Sequence, residues 1–189
     1  MFELDRRIFF TLYGGPDLGG GLALLMVALT VLGSGWSMVG IVPLLVMRRT
    51  RKFGAALVAT LVGTSAIVFA LKALFGRVRP LHALAGVRGL YDAPTDFSFP
   101  SGHAAGSFAF FAFTSALLLA SPPGPQATPA GRGARLLVGA LFLLATGVAM
   151  SRVYLGCHFP LDVAGGALVG FGTGWAAGRF YASRRAATG

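Results

Sequence analysis

The chain has 189 residues, of which 55% are hydrophobic and 12% are charged, and its mean hydropathy is +0.73. A typical soluble domain carries about 25% charged residues, so this composition excludes a disordered chain and disfavours a water-soluble globule. The net charge of +10 does not indicate nucleic-acid binding, because the basic residues lie between apolar runs and do not form one stripe.

Residues 1–17 precede the first apolar run and mix hydrophobic side chains with Asp5, Arg6 and Arg7. They fit two descriptions equally well, a short amphipathic helix on the inner membrane surface or a frayed terminus. The acidic residues disfavour a cleavable signal peptide, which begins with a basic region.

Apolar runs predict an all-α, polytopic membrane protein with about six transmembrane helices in one bundle, forming a single domain over residues 1–189. The runs lie at about 18–33, 36–47, 54–75, 103–120, 134–150 and 160–178. A helix needs about 20 residues to cross the hydrocarbon core, so the short second run is expected to extend into its flanks.

Basic joints between the runs predict the orientation of the helices. The joints at 48–52 and 121–133 and the C-terminal tail are basic, and cytoplasmic loops are enriched in lysine and arginine. Six helices with both termini in the cytoplasm satisfy this pattern. The joints at 76–102 and 151–159 then face outside, although they contain basic residues: Arg77, Arg79, Arg88 and Arg152.

The last run carries glycines at four-residue spacing: Gly166, Gly170, Gly174 and Gly178. Small residues on one face of a helix let the backbone of a neighbouring membrane helix approach closely. This spacing predicts a packing ridge.

Three polar clusters lie at the predicted outer ends of helices. They are Lys72 with Arg79-Pro80, then Pro100-Ser101-Gly102-His103, and then Ser151-Arg152 with His158 and Asp162. Each cluster alone also fits a structural role. A lysine can extend to the membrane surface, an arginine before proline can end a helix, and Arg77 and Arg88 can contact lipid headgroups.

Taken together, the clusters predict a phosphate site. Lys72, Arg79 and Arg152 are expected to converge on one face, and like charges gather in a low-dielectric site only around an anion. Ser101 and Gly102 precede a helix whose first N–H groups can bind that anion, and Ser101 adds a hydroxyl donor.

The histidines suit nucleophile and acid roles. His158 and Asp162 are four residues apart, so on a helical turn they share a face. Asp162 can then accept from one ring nitrogen and leave the other as an electron-pair donor. His103 has no carboxylate at that spacing and can donate a proton to a leaving oxygen.

Other reactive residues receive no role. His82 is interpreted as a solvated loop residue, and Cys157 as a small packing residue. Asp92 and Asp96 could coordinate a metal, but no third ligand lies near them in the sequence. The single cysteine excludes an intrachain disulfide and a multi-cysteine zinc site.

The three clusters resemble the signature motifs of the type 2 phosphatidic acid phosphatase superfamily, which also includes vanadium haloperoxidases. The motifs are Lys, six residues and Arg-Pro; Pro-Ser-Gly-His; and Ser-Arg, five residues, His, three residues and Asp. Every defining position is present in order, over about residues 70–162.

The resemblance implies a metal-independent lipid phosphatase with no cofactor, whose site opens toward the outer face of the membrane. His158 would attack phosphorus and form a phosphohistidine, Asp162 would orient it, and His103 would protonate the leaving group. The phosphoryl oxygens would be held by Lys72, Arg79, Ser101, Gly102 and Arg152.

Small bacterial members of this superfamily often resemble undecaprenyl diphosphate phosphatases, which makes that lipid the expected substrate. Phosphatidylglycerophosphate and phosphatidate are close alternatives, and a vanadate-dependent haloperoxidase or a non-catalytic lipid-phosphate binder are remote ones. The expected partners are membrane lipids and a lipid phosphate, without nucleic acid, and the oligomeric state is left open. The expected location is the inner membrane, with a periplasmic site.

Overall fold

The computed structural model describes residues 3–15, 19–89, 95–120 and 131–188, and all regular secondary structure in these ranges is helical, which agrees with the predicted all-α class. The helices are α1 (Glu3–Leu12), α2 (Gly20–Leu32), a 3₁₀-helical segment (Gly35–Ile41) that continues into α3 (Val42–Val46), α4 (Arg51–Phe75), α5 (Pro80–Ala83), α6 (Gly102–Leu118), α7 (Arg132–Tyr154) and α8 (Pro160–Thr188). Asp92 and most of the predicted 121–133 joint lie outside the described residues.

The N-terminal segment forms a helix, α1, at the end of the bundle that holds the three polar clusters. The Tyr13 hydroxyl donates to the Arg88 carbonyl oxygen at 2.8 Å, and the Gly14 N–H donates to the Tyr154 carbonyl oxygen at 3.0 Å. Phe9 is fully buried. Of the two descriptions left open by the sequence, the short helix is therefore confirmed, but it packs against the site end of the bundle.

Residues 20–46 cross the bundle once, although the sequence predicted two spans here. Gly14 is bonded to the last residue of α7, and the six residues from there to Gly20 reach at most about 20 Å. α7 is about 35 Å long, so α2 cannot begin beside the far end of α7.

The chain reaches the far end of the bundle at α3. The Thr50 hydroxyl donates to the Leu44 carbonyl oxygen at 2.9 Å, which links α3 to the start of α4. The 25 residues of α4 then lead back to the polar clusters. With α4, α6, α7 and α8, the described helices cross the bundle five times, so the predicted count of six is not confirmed.

The two ends of the described chain lie at opposite ends of the bundle. α1 packs at the site end, and α8 starts beside the site and runs away from it for 29 residues. This arrangement disagrees with the prediction that both termini share one side of the membrane, because that prediction counted residues 20–46 as two spans.

The predicted glycine ridge on α8 is confirmed. A Cβ at Gly170 would lie 2.1 Å from the Ala105 carbonyl oxygen, and one at Gly174 would lie 2.2 Å from the Ala109 carbonyl oxygen. Contacts this short leave room only for hydrogen, so α6 and α8 pack backbone against backbone. This packing sets the spacing of the two helix starts that border the site.

The outer surface of the bundle is apolar. The stretches Arg51–Ala83 and Arg132–Tyr154 are long and apolar enough to span a membrane by length and composition. Large apolar side chains stand out from several helices with at least 72% of their surface exposed: Leu24, Phe69, Leu143 and Leu168. Soluble monomers rarely expose large apolar surfaces, and this surface matches the hydrocarbon of a membrane.

Candidate active site

Four helix ends bring the polar clusters together. α4 ends at Gly76, whose φ of 56° is a left-handed conformation that glycine adopts without strain, and the chain then runs through Arg79 into Pro80. The N-terminal ends of α6 and α8 meet where the Ser101 N–H donates to the Asp162 carbonyl oxygen at 2.8 Å. His158 lies in the turn between α7 and α8.

His158 and Asp162 are adjacent and fully buried. His158 Nδ1 lies 3.7 Å from Asp162 Oδ2, which is longer than a hydrogen bond. The Ser98 hydroxyl bridges them, because it donates to Asp162 Oδ2 at 2.5 Å and lies 3.3 Å from His158 Nδ1. The Phe159 N–H also donates to Asp162 Oδ2, at 2.8 Å. The structure therefore brings the predicted pair together, with a serine between them.

The other ring nitrogen of His158 faces a cation. His158 Nε2 lies 3.0 Å from Arg79 Nη1, which also donates to the Cys157 carbonyl oxygen at 3.0 Å. The imidazole thus points Nδ1 toward a carboxylate and Nε2 toward a guanidinium. Because arginine can only donate, this contact places the electron pair of the neutral ring on Nε2, as nucleophilic attack from that nitrogen requires.

Asp96 occupies the space between two of the predicted phosphate-binding cations. Its Oδ1 accepts from Arg79 Nη2 at 2.7 Å, and its Oδ2 lies 2.9 Å from Lys72 Nζ. Lys72 also donates to the Phe97 carbonyl oxygen. Burial alone would raise the pKa of Asp96, but the hydrogen bonds from Lys72 and Arg79 outweigh it and hold that pKa below its usual value. In the structure, these two cations therefore bind the carboxylate of Asp96. The Asp96 side chain keeps 53% of its surface exposed.

His158 is held neutral near pH 7. Burial lowers its pKa to about 4, and the charges of Arg79 and Arg152 act in the same direction, while Asp162 acts against them. A neutral imidazole keeps the electron pair that nucleophilic attack needs.

The remaining predicted site residues surround the same position. Arg152 is buried and donates to the Thr30 hydroxyl at 2.5 Å. The Ser101 hydroxyl is fully buried without a hydrogen-bond partner among the described residues, so its donor is available to a bound anion. Gly102 is exposed, and His103 is half-buried within the field of Arg152 and His158.

Two cavities adjoin at the start of α6. The smaller, of about 220 Å³, is lined by Lys72, Asp96 and Gly102 among others. The larger, of about 520 Å³, is mainly apolar and extends between α2, α4, α6 and α7 past His103. Both are bordered by Ser65, Gly102 and Gly106. A single molecule can therefore place a charged group in the smaller cavity and an attached apolar chain in the larger one.

Sequence reasoning missed several residues of this site. Ser98 lies just before the second cluster, and a buried serine beside a histidine and an aspartate gives no separate sequence signal. The proposed headgroup contact of Arg77 is wrong, because its guanidinium is buried and pairs with Asp162 and Asp5. His82 is solvent-exposed as predicted, but it lies in α5 and not in a loop. Cys157 is buried, which agrees with its interpretation as a small packing residue.

A family model described as the PAP2 superfamily matches residues 53–186, which confirms the resemblance carried by the three motifs. The chain is 36% identical to an undecaprenyl-diphosphatase of Sulfolobus acidocaldarius over 67% of this chain and 54% of that protein. It is 31% identical to a decaprenylphosphoryl-5-phosphoribose phosphatase of Mycobacterium tuberculosis over 72% of this chain and 66% of that protein. The chain thus spans about half to two thirds of the length of these relatives.

Two solved structures share the fold. Aquifex aeolicus LpxE superposes with a TM-score of 0.69 at 26% identity, over 93% of this chain and 95% of that one. A transmembrane PAP2-type phosphatidylglycerolphosphate phosphatase of Bacillus subtilis superposes with a TM-score of 0.73 at 24% identity, over 95% of this chain and 85% of that one.

Proposed function

The chain belongs to the PAP2 superfamily, and on that premise we propose that it is a metal-independent membrane phosphatase of lipid phosphates that works through a phosphohistidine on His158. The observation that carries the proposal is the orientation of the His158 ring. Its Nδ1 faces Asp162 and Ser98, and its Nε2 faces Arg79 at 3.0 Å.

In the first step, the Nε2 electron pair of His158 attacks phosphorus, and the bond from phosphorus to the lipid oxygen or to the bridging oxygen of a diphosphate breaks. His103 donates a proton to that oxygen as it leaves. Asp162 stabilises the positive charge that develops on the ring. In the second step, water gives a proton to His103 as its oxygen attacks the phosphohistidine, the phosphorus–nitrogen bond breaks, and inorganic phosphate is released.

Protein cations supply the charge that this reaction needs. Lys72, Arg79 and Arg152 neutralise the phosphoryl oxygens, with the Ser101 hydroxyl and the N–H groups at the start of α6 as further donors. The substrate phosphate replaces the Asp96 carboxylate between Lys72 and Arg79. Positive charge that is already in place is usually the largest contribution to the rate of phosphoryl transfer.

We further propose a polyprenyl diphosphate, undecaprenyl diphosphate in particular, as the substrate. The apolar cavity of about 520 Å³ beside the charged one supports a lipid tail, and the names of the polyprenyl-linked relatives support this class over glycerolipids. The proposed location is the inner membrane, with residues 1–189 as one domain and the site on the periplasmic side. The basic joint at 48–52, which lies at the opposite end of the bundle, supports this orientation.

The test is phosphate release by purified protein in detergent, with EDTA present, from three lipids in parallel. Undecaprenyl diphosphate is expected to be hydrolysed fastest, followed by phosphatidylglycerophosphate and phosphatidate. A preference for either glycerolipid would overturn the substrate but keep the reaction. Release that requires added magnesium would overturn the metal-independent mechanism, and no release from any lipid would overturn the phosphatase.

A further inference from the structure

We propose that Asp5 and Arg77 are positioning residues. Through them, helix α1 holds in place the segment His158–Asp162, which we call the catalytic turn. The inference rests on the proposed function and adds two residues that are not defining positions of the three motifs: Asp5 precedes them, and Arg77 is one of the six residues between Lys72 and Arg79. It also gives the N-terminal helix a role in the reaction.

Arg77 is the central link. Its Nη1 donates to Asp162 Oδ1 at 2.5 Å, and its Nη2 pairs with the Asp5 carboxylate. The guanidinium lies 4.3 Å from the centroid of the Phe159 ring. All three charged side chains are at least nine-tenths buried, so these contacts are weakly screened by solvent.

α1 contacts the catalytic turn at several points. Asp5 Oδ1 accepts from the Leu161 N–H at 3.0 Å, while its Oδ2 pairs with Arg77. Phe9, four residues further along the same face of α1, packs on Phe159 with 5.4 Å between ring centroids. Leu161 and Phe159 lie on either side of Pro160, where the turn that carries His158 enters α8, so α1 restrains the backbone at this point.

The ion pairs also restrain the Asp162 carboxylate itself. Its Oδ2 is already bonded to Ser98 and Phe159 and faces the imidazole, and Arg77 holds Oδ1, so the carboxylate cannot rotate away from His158. Asp5 neutralises part of the positive charge of Arg77. Asp162 therefore keeps more of its negative charge for the ring that becomes positive during attack.

The test compares Asp5→Asn with Glu3→Gln, which removes the same charge from an exposed position of the same helix. Because residues that hold a catalytic group in place typically contribute about tenfold or more, we expect kcat of Asp5→Asn to fall about tenfold. KM should stay within about twofold, since the phosphate-binding cations are unchanged. Glu3→Gln should behave as the wild type. Thermal unfolding in detergent and orthovanadate binding report whether each variant is folded.

A pH profile of kcat/KM separates positioning from general loosening of the structure. The charged and titratable groups that face His158 are Asp162 on α8, Arg152 on α7, His103 on α6 and Arg79 before α5. Arg77→Gln removes the cation that pairs with Asp162. The pKa of His158 should then rise, and the acid limb of the profile should move to higher pH. Asp5→Asn keeps that cation, so its acid limb should stay in place or move lower. Loosening that let water reach His158 would raise the limb in both variants.

The double variant Asp5→Asn/Arg77→Gln completes the test, because Asp5 acts through Arg77 and the two losses should not multiply. The inference would be overturned if Asp5→Asn, like Glu3→Gln, turned over the substrate at the wild-type rate. It would also be overturned if the losses of the two single variants multiplied fully in the double variant. If Asp5→Asn does not fold, Arg77→Lys, which keeps the charge but loses the two-sided fork, should show the same kcat loss at unchanged KM. Absence of phosphate release by the wild type would overturn the proposed function and this inference together.

Discussion

α6 and α8 are held together in two different ways along their length. Beside the site, they are joined by directed polar contacts, such as the bond from the Ser101 N–H to the Asp162 carbonyl oxygen. Further along, Gly170 and Gly174 place the two backbones in direct contact without any charge. The glycine contacts therefore set the distance between the helices, while the polar contacts orient the groups that react. Changes at the glycine contacts should affect folding, and changes at the polar contacts should affect turnover.

The largest effect should come from the nucleophile. His158→Ala should lower kcat by at least about 10⁴-fold, because removing a covalent nucleophile leaves only transition-state binding. Orthovanadate binding and thermal unfolding should remain measurable, since the cations and the glycine contacts are intact. His82→Ala, at an exposed histidine of α5, is the matched control and should retain full phosphate release. Unchanged turnover in His158→Ala would remove the basis of the mechanism.

Substitutions at the glycine contacts should lower stability. A Cβ at Gly170 would lie 2.1 Å from the Ala105 carbonyl oxygen, so Gly170→Ala should lower the free energy of unfolding by about 1–3 kcal/mol. Gly172→Ala on the same helix meets nothing within 4 Å and should be neutral or slightly stabilising. Thermal unfolding in detergent measures both. Equal unfolding temperatures would show that the two helices can separate without cost.

The pH profile of the wild type tests the neutral state of His158. Because burial and the neighbouring cations lower its pKa to about 4, kcat/KM should hold its value as pH falls through 6.5. It should then fall about tenfold per unit below pH 4, where the protonated ring has no electron pair. An acid limb near 6.5 would mean that water reaches the ring in the free enzyme.

The smallest effect should come from Asp96. Its carboxylate competes with phosphate for Lys72 and Arg79, but 53% of its side-chain surface is exposed, and exposed ion pairs contribute about 1 kcal/mol or less. Asp96→Asn should therefore lower KM by about two- to fivefold and lower the inhibitory concentration of orthovanadate similarly. Glu3→Gln is again the control. A raised KM would indicate that Asp96 helps to bind the substrate.

Much of the candidate site could be predicted from the sequence, because its reactive residues recur at specific spacings. Ionisable residues within apolar runs stand out, and His158 and Asp162 lie four apart, so their common face follows from helix geometry. The glycine spacing on α8 likewise predicted backbone contact. These features depend on short separations, which local geometry determines.

The features that sequence reasoning missed depend on distant contacts. In the sequence, Asp5 belongs to a segment that fits a surface helix or a frayed terminus, and Arg77 fits a contact with lipid headgroups. Only the docking of α1 makes them a buried pair. The predicted count of spans is not confirmed for a related reason. The Gly33–Gly35 segment is typical of a loop between helices, but here it interrupts one crossing of the bundle.

The contact of α1 with the catalytic turn also bears on how the protein is made. The hydrogen bond from the Leu161 N–H to Asp5 joins residues 156 positions apart. During translation α1 is made before α2 to α7, and its partner Leu161 at the start of α8 follows Asp5 by 156 positions. α1 therefore docks on the catalytic turn only after α2 to α7 have been synthesised, and a nascent chain stalled before α8 has neither a docked α1 nor an assembled nucleophile.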